Sequence, residues 1–206
     1  MFSSPGFSCF SGLVSIPTAD TVPMGQYSIE YQSDEQLSGY GNGNHIVNMQ
    51  FGLNDRIETG IDLDISRDVN AGARPAFNIK YAVDFDKRKQ TRLAIGICSV
   101  SPFFSSVPYM VWSSRSKHLC MHGGVIDTGS RGVFLAGIDH NLSGSLTIMA
   151  DYTAGRENYS SVGLNYRLDD QFSVMAGVLI PNSHGDSALT VHFVIGGNFR
   201  KMEGMN

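Results

Sequence analysis

The sequence predicts an all-β chain, an antiparallel up-and-down β-barrel of about 12 strands with an N-terminal arm. Three observations predict it. Apolar and polar residues alternate in segment after segment, most clearly in Arg56-Ile57-Glu58-Thr59-Gly60-Ile61-Asp62-Leu63-Asp64-Ile65. Ile57, Ile61, Leu63 and Ile65 share one face and Glu58, Asp62 and Asp64 the other, because successive side chains of a strand point to opposite sides. Helical periodicity is nearly absent. Finally, the links between the alternating segments are short and long by turns.

Residues 1–25 read as an arm or plug segment. Pro17 and Pro23 disfavour a central strand, while Leu13, Val14 and Ile16 are apolar enough to fold into the end or lumen of the barrel. The barrel occupies 26–199, with strand signals at 26–34, 45–54, 56–66, 76–86, 90–100, 107–115, 118–127, 132–141, 145–154, 158–168, 171–181 and 188–199. The signals at 107–115 and 118–127 are the weakest, and residues 200–206 form a C-terminal tail.

Asn54-Asp55, residues 86–89, Leu142-Ser143-Gly144 and Asp169-Asp170 are tight turns rich in residues that accept turn geometry. Longer links fall at 35–44 (Gly-rich), 67–75, 101–107 and 182–187. The sixth turn is poorly defined. In a meander the even-numbered turns lie at one end and the odd-numbered loops at the other. Short turns at one end and long loops at the other is the construction of outer-membrane barrels.

One face of these strands is uncharged, running from Tyr27, Ile29 and Tyr31 to Val191, Phe193 and Ile195. The opposite face is polar and includes Glu30, Gln32, Asn48, Gln50, Asn78, Asn165 and His192. Its charged members Glu58, Asp62, Asp64, Lys80, Asp84, Arg92, Asp139, Asp151 and Arg167 define a candidate lumen-lining network. Asp139 and Asp151 could face each other across the eighth and ninth strands, and carboxylate pairs can serve acid/base catalysis or bind a hard cation such as calcium; the favoured expectation is that the carboxylates pair with Lys80, Arg92 and Arg167. Such a network holds a narrow barrel shut or sets a weak ion preference.

Two architectures fit this alternation: a membrane barrel with its apolar face to lipid, or a soluble barrel or sandwich with that face as its core. Three features favour the membrane barrel. Aromatics recur near strand ends (Tyr27, Phe51, Phe77, Phe85, Tyr152, Tyr166, Phe172, Phe199), as interfacial girdles do. The polar face is full of Gly, Ser and paired opposite charges rather than the Lys/Glu surface of a soluble sheet. The turn pattern suits a closed meander better than a Greek key. The last strand, with its alternation and closing Phe199, also resembles the terminal strand of outer-membrane proteins, although seven residues follow it.

Composition bounds the function classes. At 206 residues the chain is one domain of this class. Its 17% charged residues lie below the usual quarter, and a net charge of −4 gives no case for nucleic acid. Cys9, Cys98 and Cys120 imply neither a zinc site nor a disulfide framework. No apolar run is long enough for a transmembrane helix, and residues 1–11 lack the basic and apolar regions of a secretory signal.

No catalytic residues and no cofactor are expected. His140-Asn141 with Ser143 and Ser145 matches a Ser-His-Asn set in composition, but nucleophile and base must converge in space, and these residues read as a solvated turn. His118 and His122 share a strand face roughly 13 Å apart, too far to hold one metal together.

Gly12-Leu13-Val14-Ser15-Ile16-Pro17-Thr18-Ala19-Asp20, followed by Pro23 and Gly25, resembles the opening of YjbH-like outer-membrane β-barrel proteins linked to exopolysaccharide export. Phe51-Gly52-Leu53-Asn54-Asp55-Arg56-Ile57-Glu58-Thr59-Gly60 resembles the short periplasmic turn of such barrels. The resemblance implies a bacterial outer-membrane location and a link to polysaccharide. The expected function is therefore a non-enzymatic outer-membrane-type barrel, a structural component or narrow conduit. The lipid bilayer is its partner, and a protein could thread or cap it. The alternative is a soluble β-barrel or sandwich that binds an apolar ligand or a protein.

Overall fold

The computed structural model describes residues 12–38, 43–66, 72–86, 88 and 90–199. The proposed tail 200–206, Cys9, the tip of the Gly-rich loop and the 67–71 loop lie outside the described residues. The strands are β1 (Gln26–Gln36), β2 (Asn44–Asn54), β3 (Ile57–Asp64), β4 (Arg74–Asp86), β5 (Thr91–Val100), β6 (Val107–Arg115), β7 (Leu119–Asp127), β8 (Gly132–Asn141), β9 (Leu146–Thr153), β10 (Tyr159–Arg167), β11 (Phe172–Pro181) and β12 (Ala188–Asn198). Each strand pairs with its sequence neighbours, and β1 closes the ring against β12 from Gln26↔Asn198 to Gln36↔Ala188. The result is a closed antiparallel barrel of 12 strands, which leaves no sheet edge exposed. Closure rules out the sandwich.

The even-numbered turns are the short ones. The sixth turn, ill-defined in the sequence, is short as well: it spans 116–118, with Ser116 N donating to Leu119 O at 2.8 Å. Strands of 8 to 13 residues bracket the length a tilted spanning strand needs. Between β4 and β5 the register shifts past Phe77, and Ser99 takes a φ of 58°. This bulge lets two residues of β5 oppose one of β4.

The apolar face points outward. Phe85 and Phe134 are each 71% exposed, whereas Lys80 and Glu58, the bulkiest fully enclosed side chains, point inward at 0%. A soluble barrel would have the reverse polarity, since charged groups seek water and large apolar surfaces leave it. Outward aromatics gather at both ends of the wall. Phe85, Tyr166, Phe172 and Phe199 lie toward the short turns, and Phe77, Phe134 and Tyr152 toward the long loops. Phe199 also packs on Tyr27 and Phe51, with ring centroids 5.2 and 5.9 Å apart.

The lumen is not uniformly polar, as the sequence pattern suggested it would be. Val107, Tyr109, Val111, Ile126, Val133 and Leu135 face inward and form an apolar wall on β6–β8. Leu13, Val14, Ile16 and Ala19 of the arm pack against this wall from inside. Burying each aliphatic side chain contributes on the order of 1.5–3 kcal/mol.

Candidate functional site in the barrel lumen

The arm crosses the lumen as a bent segment. Leu13 N donates to Ile16 O at 3.0 Å, and Gly12 bridges to Pro17. Where it meets β1, its backbone at Val22 and Pro23 lies directly over Gly52, and any Cβ at Gly52 would collide with those carbonyls. Val14 similarly sits on the glycine pair Gly163 and Gly177, which face each other across β10 and β11.

The polar contacts of the arm use the strand carboxylates. Asp151 accepts the Ser15 backbone N–H at 3.0 Å and the Ser15 hydroxyl at 2.5 Å, and it also accepts from Ser161. Glu58 Oε2 accepts the Val22 N–H at 2.6 Å, and its Oε1 lies 3.2 Å from Lys80 Nζ. Lys80 in turn donates to the Asp20 carbonyl at 2.6 Å. The Asp20 carboxylate takes Arg115 at 3.0 Å and lies 3.9 Å from Arg92, which lies 3.4 Å from Asp84.

Several expected pairings differ. Among the described residues Asp62 forms no ion pair: it accepts from Gln50 Nε2 at 3.3 Å and from Asn78 Nδ2 at 3.1 Å. Asp64 bonds to Arg74, its cross-strand partner at the long-loop end. Asp139 and Asp151 do not face each other, because the register sets Asp139 opposite Met149 and Asp151 opposite Gly137. Arg167 is exposed at the short-turn end, where it donates to the Gly144 carbonyl rather than to a lumen carboxylate.

Asp139 instead accepts from His122 Nε2 at 2.8 Å, and His122 Nδ1 lies 2.8 Å from Ser113 Oγ. The same Ser113 oxygen accepts the Ala19 N–H at 2.9 Å. The chain therefore ends on the arm backbone, with Ser113 and His122 both buried beneath it. The Ser143 hydroxyl, by contrast, accepts from Ser145 N and Leu146 N within its turn. Cys98 and Cys120 are free thiols. Among the described residues no group of three or more His, Cys, Asp or Glu is placed to hold a metal.

On the wall away from the arm's apolar contacts, a second polar chain links β1, β2 and β12. Glu30 Oε1 accepts from Asn48 Nδ2 at 3.1 Å and lies 3.0 Å from His192 Nδ1. His192 Nε2 lies 2.8 Å from Thr190 Oγ1, which donates to Asp34 at 2.6 Å. A cavity of about 280 Å³ lies between the arm and this wall. A second hollow of about 340 Å³ opens by Asp84, Arg92 and Arg115 at the short-turn mouth.

Strand parity identifies most of the inward polar residues. It does not identify Asp20, which lies on the arm where there is no strand pattern, or Ser113 as a lumen anchor, because the partner of Ser113, the Ala19 N–H, comes from the arm. An outward apolar band, aromatic belts, short turns at one end and a charged lumen together define an outer-membrane-type β-barrel.

Solved structures share this fold. The KdgM porin superposes with a TM-score of 0.61 at 12% identity, over 82% of this chain and 98% of its own. A KdgM porin structure in complex with disordered oligogalacturonate gives 0.59 at 12% identity over the same shares. The NanC porin gives 0.57 at 10% identity, also over 82% and 98%. No family model matches the chain, and neither does any curated protein.

Proposed function

We propose that this chain is a bacterial outer-membrane barrel acting as a narrow, arm-obstructed conduit for small polar solutes, with saccharides as the solute class. One observation carries this reading: the arm fills the apolar side of the lumen and leaves, on its other side, a cavity bounded by the arm and by the polar Glu30, Gln32, Asn48, Gln50 and His192 of β1, β2 and β12. A structural element alone would need no such asymmetry. The porin fold supports the conduit. The oligogalacturonate in the KdgM complex and the resemblance of Gly12–Asp20 to exopolysaccharide-export barrels support the saccharide class.

The test is conductance. In planar bilayers the full chain is expected to give small, steady channels. Removing residues 1–21 should raise single-channel conductance several-fold and speed sugar-driven liposome swelling. Equal conductance with and without the arm, or none in either form, would refute an arm-obstructed conduit.

The same reading makes the barrel non-enzymatic. Ser113, His122 and Asp139 are connected like a nucleophile, base and orienting acid. The serine oxygen, however, is spent on Ala19 and lies under the arm. A fluorophosphonate probe is therefore expected to leave the intact chain unlabelled. Labelling that disappears in Ser113→Ala would overturn the non-enzymatic reading.

A further inference from the structure

We infer that the β1–β2 wall of the lumen is a selectivity site for small cations, so that the conduit, if it conducts as proposed above, prefers cations to anions. The argument begins with three carboxylates, Glu30, Asp34 and Asp62, each held against at least one side-chain amide. An ionised carboxylate only accepts, so an amide beside it must present its NH₂ and turn its carbonyl away. Asp34 takes Gln32 Nε2 at 3.0 and 2.9 Å, and Asp62 takes Gln50 Nε2 at 3.3 Å. The orientation of the Gln32 amide, with both Asp34 oxygens on its Nε2, is therefore set by its neighbouring carboxylate.

Gln32 Oε1 and Gln50 Oε1, the latter packed over Gly60, have no hydrogen-bond partner among the described residues, in side chains only 5% and 4% exposed. Both residues line the 280 Å³ cavity, as does Glu30. A buried carbonyl without a donor is costly until a donor reaches it. The ligand that suits this wall brings donors or positive charge, as a hydrated metal ion or an organic ammonium does. Among the described residues no Lys or Arg lines the cavity. Arg92 and Arg115 are held by Asp20 elsewhere in the lumen, and Arg167 is on a turn carbonyl. An anion entering here meets the Glu30 carboxylate and the Gln32 and Gln50 carbonyls, with only the neutral donors of Ser28, Ser173 and Asn165 and the His192 ring, already on Glu30, to receive it. An acidic saccharide such as the oligogalacturonate of the KdgM complex is therefore disfavoured.

The test uses the full chain. Under a potassium chloride gradient in planar bilayers, the reversal potential should report a cation preference of several-fold. Ser28→Lys places a positive charge in the same cavity, beside Gln50 across β1 and β2 and two residues from Glu30, and it should abolish or reverse the preference. Glu30→Gln should weaken it by about half or more, with heat-modifiable gel migration confirming that each variant is folded. Channels that are open but unselective or anion-selective would overturn the site and leave the conduit standing. In detergent, calorimetric titration should show ethylammonium binding to the wild type and not to Ser28→Lys, with acetate binding to neither. That result in a chain that does not conduct would uphold the site and sink the conduit, whereas acetate binding without ethylammonium would overturn the site.

Discussion

Lys80→Met is expected to lower folding stability by about 3–5 kcal/mol, the cost of leaving a buried charge without its partner. Glu58 and Lys80 face each other across β3 and β4, 3.2 Å apart and fully enclosed. Neither can recover hydration when the other is removed. Lys80 also holds the Asp20 carbonyl and Glu58 the Val22 N–H, so the substitution loosens the root of the arm as well. The double variant Glu58→Gln with Lys80→Met should regain much of the loss, because replacing both charges of a buried pair is often neutral. Denaturant unfolding in micelles, read by gel migration, measures both. A loss for Lys80→Met of only about 0–1 kcal/mol, the range of exposed ion pairs, would mean that water reaches the pair and that the arm does not seal it.

The strands were legible because one requirement governs most of the chain: a wall residue faces either lipid or lumen, and parity reports which. Ile57 to Asp64 shows this at full contrast. The pattern faded at β6 and β7 for a physical reason. Val107, Tyr109, Val111 and Ile126 face inward but touch the apolar arm, so both faces of those strands are apolar and alternation disappears. The lumen carboxylates were legible by the same parity, but their partners were not. Asp62 is satisfied by two amides, and Asp151 and Glu58 accept backbone N–H groups of the arm. A sequence lists charges as if they sought opposite charges. A crowded lumen satisfies them with whatever donors the packing delivers, and that depends on where the arm lies. Arg167 shows the converse: its parity is inward, but it sits at the end of β10, where a turn carbonyl and solvent take the place of the lumen.

Ile95→Arg is expected to cost about 2–4 kcal/mol in a bilayer or micelle, the range for a basic residue on the lipid face near the midplane. Ile95 lies midway along β5, on the outward face between the lumen-facing Ala94 and Gly96, and is 57% exposed on the bare barrel. Phe85→Arg, on the same face but beside the short turn after β4, should cost only about 0–1 kcal/mol, because the side chain reaches the headgroups. The contrast between the two positions is what discriminates. If water rather than lipid bathed this outward face, either arginine would change stability within about 0.5 kcal/mol. A depth-dependent loss identifies lipid as the solvent of the apolar face. Equal, small effects at Ile95 and Phe85 would mean that lipid does not bathe this face, whose thirty-odd exposed large hydrophobic side chains among the described residues would then need another cover.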